Sequence, residues 1–567
     1  MKLFNKLYKW IVNPQRLFIY YLVAILVPNV ILCLTEHLSL PACLCNIILP
    51  ASAYAWLFTL KRRPGMMIWV LFPFVFLAAF QLVLLYMFNS SIIAVDMFLN
   101  VVTTNPDEAF ELLDNIVPAV AGVFILYLPA LILGIFSIIR KDRMEISFTR
   151  TVRKISAIGI GIGFILTTVL QFADKDYDFK IHLFPANVCY NLGMAVERSY
   201  DLSHYPETSA DFKYNARATH DASKPEVYVM VIGETGRACN WGLYGYKRNT
   251  TPKLERCRGV VAFTDVLTQS NTTHKSVPML MSLASAEDYD RIYREKGIIT
   301  AFKEAGFHTA FFSNQRFNHS FIDLFGEEAD KVVFLKENED GDVNINDNKL
   351  IGLLDNIMAE GHNKLFVVLH TYGSHFKYTE RYTEESAVYK PDDIMNVSKD
   401  KRSNLINAYD NTIVQTDLFL HRIITRLNKE GMTSAMLYSS DHGEDIFDDD
   451  RKRFLHSSPI PTYYQLHIPF IVWTSDNYSE SYPSVVSNLN DNCNMPVGSN
   501  ASAIHTMLDI AGLETPYLTD SLSLASDNYH IGRRHFINDH NLPVRYDKVG
   551  LLPMDIEQFK KHNISCK

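Results

Sequence analysis

The sequence predicts a five-span α-helical membrane domain followed by an α/β domain built on a largely parallel sheet. Three observations carry this. Five uncharged apolar runs lie before residue 174 and nothing comparable follows them. Short β-branched or apolar runs alternate with longer helical patterns from Val227 onward. Polar clusters stand where those short runs stop. A chain of 567 residues also exceeds one ordinary domain.

The apolar runs are Leu17–Thr35, Leu38–Leu60, Met66–Phe88, Ile116–Ile139 and Ile155–Ala173. Each approaches the roughly 20 residues needed to cross a hydrocarbon core. A buried helix of a soluble protein can look like one such run, but five in succession do not fit that explanation. The first run is too long, and lacks a small-residue cleavage site, for a removable signal peptide. Lys2, Lys6, Lys9 and Arg16 precede it, Lys61-Arg62-Arg63 join the second to the third, and Arg140, Lys141, Arg143, Arg150, Arg153 and Lys154 join the fourth to the fifth. Between Asn89 and Asn115 stand Asp96, Asp107, Glu108, Glu111 and Asp114, with no Lys or Arg. The excess of positive charge on inner loops therefore puts the N-terminus in the cytoplasm, and five crossings deliver the rest of the chain to the outside. The expected division is an anchor over residues 1–173, a connector with an interfacial helix over 174–224, and a catalytic domain over 225–567.

A net charge of −8, with no basic stripe, argues against a nucleic-acid partner. Cys33, Cys43 and Cys45 fall in the apolar runs, whereas Cys189, Cys239, Cys257, Cys493 and Cys566 lie beyond them. An oxidising compartment permits disulfides among those five, and an odd number leaves at least one thiol over.

In the outer part, the expected strands are Val227–Ile232, Thr309–Ser313, Leu365–Leu369, Ala435–Tyr438 and Phe470–Trp473. Lys349–Glu360 and Ser403–Asn428 have apolar residues at helical spacing. Strands alternating with helices point to an α/β domain. The strands end in Gly233-Glu234-Thr235, Ser313-Asn314-Gln315, His370 through His375, and Ser440-Asp441-His442-Gly443-Glu444. Ligands of open α/β sheets bind at such carboxyl ends, so these clusters predict a site.

Glu234, Asp441 and His442 offer oxygen and nitrogen donors suited to zinc, with one position left for water or substrate. Taken alone, Asp-His-Gly also suits an N-cap and a surface histidine. Thr272, Thr273 and Ser276 offer hydroxyls at the start of a predicted helix, where N–H groups and the dipole favour developing negative charge. A metal beside such a hydroxyl makes it a nucleophile, although simple helix capping is the plainer role.

Gly233-Glu234-Thr235-Gly236-Arg237 and the segment from Asn240-Trp241-Gly242-Leu243-Tyr244-Gly245-Tyr246 to Pro252 resemble the signature of the bacterial phosphoethanolamine transferases. These are inner-membrane enzymes of the alkaline phosphatase and sulfatase superfamily, including lipid A modifiers that confer polymyxin resistance. The resemblance extends through Thr273-x-x-Ser276-Val277-Pro278, Asp441-His442-Gly443-Glu444, Phe454-Leu455-His456 and the stretch from His505 to Gly512. It implies a sulfatase-like α/β/α catalytic domain and makes Glu234, Thr273, Asp441 and His442 the set that holds zinc. Thr273 is then the residue that takes the phosphoethanolamine group. His375 and His456 match histidines that contact phosphate or carry protons, and would also suit a second ion; His370 matches less closely. Where the lipid A-modifying branch has a disulfide cysteine after Val277-Pro278, this chain has Met279-Leu280-Met281, which weakens lipid A as the implied acceptor.

The implied reaction moves phosphoethanolamine from phosphatidylethanolamine to an envelope glycan or glycolipid through Thr273, releasing diacylglycerol, with the catalytic domain in the periplasm. A phosphoglycerol transferase of the lipoteichoic acid synthase type is the alternative enzyme, and a lipid-binding sensor on a degenerate site the non-catalytic one. A sulfatase activity is disfavoured, since no Cys/Ser-x-Pro-x-Arg segment is present.

Overall fold

The computed structural model describes residues 13–36, 38–88, 93–103, 106–175, 177–337, 346–394, 397–429, 431–458 and 460–566. It divides into two compact units, Met1–Val102 with Leu112–Glu197, and Thr103–Glu111 with Arg198–Lys567.

The first unit is helical: α1 (Pro14–Thr35), α2 (Leu40–Phe58), α3 (Pro64–Val70), α4 (Phe72–Phe88), α5 (Pro106–Ile139) and α6 (Ile146–Ala173). Asn13 caps α1 by accepting N–H bonds from Gln15 and Arg16. By length and composition α1, α2, α6 and the stretch Val117–Ile139 of α5 can each cross a membrane, so this is a multi-pass membrane protein. The third apolar run departs from expectation. It forms two helices, α3 and α4, bent by 63° at Leu71, which together are long and apolar enough to make a fifth span as one broken pair. Pro73, in the first turn of α4, has no N–H to continue the α3 ladder. The acidic stretch is not an open loop either, because Val95–Thr103 and the start of α5 are helical. The side chains of Asp107, Glu108, Glu111 and Asp114, like Lys2, Lys6, Lys9 and Asn89, lie outside the described residues. Buried Asn29 and Asn46 bond α1 to α2, Asn29 Nδ2 reaching the Asn46 carbonyl at 2.8 Å and Asn46 Nδ2 the Asn29 carbonyl at 3.2 Å.

Helix α7 (Ala186–Thr208) occupies much of the expected connector. The second unit is built on a seven-stranded sheet: β1 (Glu226–Gly233), β2 (Val260–Ala262), β3 (His308–Ser313), β4 (Lys331–Phe334), β5 (Lys364–His370), β6 (Thr433–Ser440) and β7 (Phe470–Thr474), in spatial order β2-β7-β6-β1-β5-β3-β4. β6, β1, β5, β3 and β4 run parallel, while β7 is antiparallel to β6 and β2. Both faces are buried: Tyr228, Met230 and Ile232 of β1 join one apolar core and Val227, Val229 and Val231 the other. That explains why these strands read as continuous apolar runs rather than alternating ones. Helices α8 (Thr273–Met281) and α11 (Ser499–Ile510) pack into the first core, α9 (Asn348–Ala359) and α10 (Arg402–Lys429) into the second, giving an α/β/α sandwich. All eight cysteines are free thiols, so Cys239 and Cys257 do not pair.

The segment that follows β1 is strapped to α10. Buried Asp410 accepts from Asn240 Nδ2 at 2.7 Å, the Tyr246 hydroxyl at 3.0 Å and Arg248 at 2.8 Å, and Asp417 accepts the N–H groups of Lys253 and Leu254. Trp241 is buried against Tyr438 of β6. Asp410→Ala strands several buried donors and is expected to cost about 2–4 kcal/mol, read as a lower melting temperature of the detergent-solubilised chain. Glu328 gives a pH signature. Burial pushes its carboxyl up to about 7 although it accepts N–H bonds from Gly297 and Thr300. The folded state therefore holds this proton where the unfolded chain has lost it, and stability falls as pH rises from the ordinary glutamate range to about 7. Glu328→Gln should flatten that decline in denaturation midpoints measured across the window.

Candidate active site

Gly233 of β1 lies opposite Ser440 of β6 in a parallel ladder, so the next residues, Glu234 and Asp441, leave the sheet side by side. The chain turns at once, with Thr235 in the left-handed region at φ 59° and its hydroxyl donating to Glu234 Oε1 at 2.6 Å. The N–H groups of Thr235 and His442 donate to Asp441 Oδ1 at 3.0 and 2.7 Å. Asp441 Oδ2 is buried with no hydrogen-bond partner. His442 Nδ1 sits 2.9 Å from the Gly443 carbonyl, which makes Nδ1 the protonated nitrogen and leaves the Nε2 lone pair toward the centre.

Thr273 is the first residue of α8, and its Oγ1 lies 3.3 Å from both oxygens of Glu234 and 3.1 Å from His442 Nε2. The other two hydroxyls are committed elsewhere. Ser276 donates to the Asp441 carbonyl at 2.6 Å and is held by Asn500, while Thr272 faces Ser270 at 3.1 Å. Geometry thus separates Thr273 from Thr272 and Ser276, which the residues alone left equivalent.

His442 Nε2 is 3.1 Å from Asp441 Oδ2 and 3.6 Å from Glu234 Oε1. Donors about 2.0–2.1 Å from a tetrahedral zinc stand about 3.3 Å from one another, so Glu234, Thr273, Asp441 and His442 fit such an ion. Electrostatics agree. Burial, then the neighbouring Asp441, drives the Glu234 carboxyl well above its usual range, and burial pushes Asp441 up to about 7. Burial lowers His442, keeping it neutral with a lone pair to give. Two buried carboxylates and an unpaired oxygen are costly without a cation.

His456 flanks this centre. A nitrogen of its ring, one oxygen of Glu234 and one nitrogen of His442 lie within 4.8 Å of one another, and its ring is 4.1 Å from that of His442. Leu455 and Ser457 on either side have φ 68° and 64°, a strained loop of the kind that marks functional sites. His375 lies further out, its ring 6.2 Å from His456, stacked on Tyr372, with Nδ1 2.7 Å from the Phe376 carbonyl. Burial and the Arg381 guanidinium lower it to about 3, so it is neutral near pH 7. His370 bonds Ser313 at the end of β3, in the wall of the site rather than with the convergent donors.

Two contributors were absent from the sequence-derived set although both stand in the strand-end clusters. Gln315 donates to Glu234 Oε2 at 3.2 Å and to the Thr371 carbonyl at 3.0 Å, fixing the carboxylate's orientation. Buried Glu444 accepts from the Tyr378 hydroxyl and turns its other oxygen to within 3.8 Å of His456 Nδ1. Their roles arise from contacts between strands, which spacing along the chain does not report.

The geometry has counterparts among known proteins. Residues 226–513 match the family described as Sulfatase. The chain is 26% identical over 342 residues to phosphoethanolamine transferase CptA of Salmonella typhimurium, across 58% of this chain and 59% of that protein. It spans little more than half the length of the curated relatives it matches. Among solved structures, the integral membrane lipooligosaccharide phosphoethanolamine transferase A of Neisseria meningitidis superposes with a TM-score of 0.68 at 22% identity, over 90% of this chain and 97% of that one. The zinc complex of the C-terminal periplasmic domain of EcEptC from Escherichia coli superposes with a TM-score of 0.54 at 22% identity, over 59% of this chain and 96% of that one. The sheet order, the convergent strand ends and the match over residues 226–513 make this chain a member of the sulfatase family.

Proposed function

We propose that the protein transfers phosphoethanolamine from phosphatidylethanolamine to an envelope glycan or glycolipid, through a phosphorylated Thr273 and with release of diacylglycerol. The observation that carries this reading is Thr273 Oγ1 at the start of α8, 3.1 Å from His442 Nε2 and 3.3 Å from Glu234. Relatives named as phosphoethanolamine transferases support it. The N-terminus is cytoplasmic and the second unit periplasmic in this reading, with the donor drawn from the outer leaflet.

Glu234, Thr273, Asp441 and His442 would hold one zinc ion. Zinc supplies positive charge that favours the ionised Thr273 hydroxyl and offsets charge on the phosphoryl oxygens. The Thr273 oxygen attacks phosphorus, the bond to the diacylglycerol oxygen breaks, and the proton released from Thr273 reaches that oxygen by way of His456. A hydroxyl of the acceptor then attacks phosphorus on Thr273, giving its proton to His456 or His375 as the threonine oxygen leaves. The N–H groups at the start of α8 face the negative charge that develops on phosphate. Glu444 and Gln315 are positioning residues, orienting His456 and Glu234 respectively. His375 is neutral near pH 7, as its acceptor role requires.

Purified protein incubated with phosphatidylethanolamine should carry a phosphoethanolamine increment on the peptide containing Thr273. Thr273→Ala should lose that increment and about 10³-fold or more of the transfer rate while keeping most of its zinc. Labelling by phosphatidylglycerol alone would replace this reading with phosphoglycerol transfer, and full activity of Thr273→Ala would remove it. Gly373→Ala tests the support of Glu234 from the neighbouring loop. Gly373 has φ 48°, and a Cβ there would lie 2.6 Å from the Glu234 carbonyl oxygen. The substitution is expected to cost about 1–3 kcal/mol in strain and to lower zinc content, measured by elemental analysis beside the melting curve.

A further inference from the structure

Beyond the strand-end centre, the described residues contain one other group of metal-ligating side chains close enough to share an ion. It comprises His308, Glu360 and His362, whose ligand atoms lie within 4.8 Å of one another. His308 opens β3, Glu360 follows α9, and His362 stands two residues before β5, beyond a turn at Gly361 with φ 75°. β5 runs from Lys364 to His370, beside the catalytic strand ends. At ~3.3 Å per residue the two clusters are therefore about 20 Å apart, at opposite ends of the sheet.

The three side chains are held close together by contacts among themselves and with their neighbours. The imidazoles of His308 and His362 stack with centroids 3.8 Å apart and planes 15° apart. His362 Nε2 faces Glu360 Oε2 at 3.0 Å, and His308 Nδ1 faces Asp330 Oδ2 at 3.7 Å. Lysines occupy only the outer oxygens: Lys331 Nζ meets Glu360 Oε1 at 2.5 Å and Lys303 Nζ meets Asp330 Oδ1 at 2.7 Å. Each carboxylate thus keeps one oxygen on the histidine side. Asp330 is itself fixed by the N–H and hydroxyl of Thr309.

We propose that His308, Glu360 and His362 form a peripheral site for a borderline first-row divalent cation of the zinc and copper class, which ties the start of β3 to the turn between α9 and β5. Two imidazoles and one carboxylate select that class over magnesium or calcium. His308 and His362 are half-buried and Glu360 is exposed, which leaves the ion's remaining positions to water.

The test uses the full chain in detergent, stripped by chelator and dialysed against micromolar Zn2+. His308→Ala/His362→Ala is expected to hold one equivalent less than wild type and to keep its transferase turnover. His442→Ala should keep the peripheral equivalent and still melt at higher temperature when Zn2+ is added. Cu2+ bound to His442→Ala should show magnetic resonance splitting from two nitrogen donors, lost when His308 and His362 are also replaced. Equal zinc content in the double variant and wild type, or a Cu2+ spectrum indifferent to these histidines, overturns the proposal. Glu360→Gln keeps the test decisive should the double variant unfold, because it removes one donor oxygen and leaves both rings. Zinc binding by that variant as tight as by wild type would likewise overturn it.

Discussion

The pairing of Gly233 with Ser440 across two parallel strands is the constraint on which the rest of the site depends. It brings two acidic residues out of the sheet at the same level and in the same direction, where neither can reach bulk water. Main-chain N–H groups then claim one oxygen of Asp441 and leave the other bare. Like charges held together in a dry cleft are unfavourable unless protonated or matched by a cation. The fold supplies the alignment, and the alignment creates the demand for positive charge. The zinc and copper class suits the donors present, and the Thr273 hydroxyl sits where that charge would be felt.

The long motif between Asn240 and Pro252 contributes differently. Asn240, Tyr246 and Arg248 of the motif end on Asp410, and the N–H groups just beyond it on Asp417 of the same helix, so the motif braces the turn after β1. A signature can be specific to a family because it secures a turn, and this one secures the turn carrying Glu234. His442 and Asp441 need no such brace, since the ladder between β6 and β1 already fixes them.

The fold class was legible because both sheet faces are covered, so β1, β3, β5, β6 and β7 stood out as uninterrupted apolar runs. β2 and β4 were not, being three and four residues long and partly exposed. The bend at Leu71 was hidden by uniform hydrophobicity, with Pro73 the one local signal. The donors at strand ends could be read because Asp-His-Gly and Gly-Glu-Thr follow strands directly. The choice of Thr273 over Ser276 could not be read from chemistry, since their hydroxyls are alike. It depends on the Asp441 carbonyl and Asn500, residues remote in sequence. Gln315 and Glu444 escaped for the same reason: each acts through a partner on another strand or loop.

Asn271 gives the site a mechanical property. Its carbonyl accepts the Ser457 N–H, and its side chain donates to the Ser458 carbonyl and to Gln465. The loop that presents Thr273 and the loop that presents His456 are therefore cross-linked immediately after the histidine. A shift of either loop carries the other with it, which holds the spacing between the Thr273 and His456 side chains. Two side chains far apart in the sequence are in this way held as a single unit.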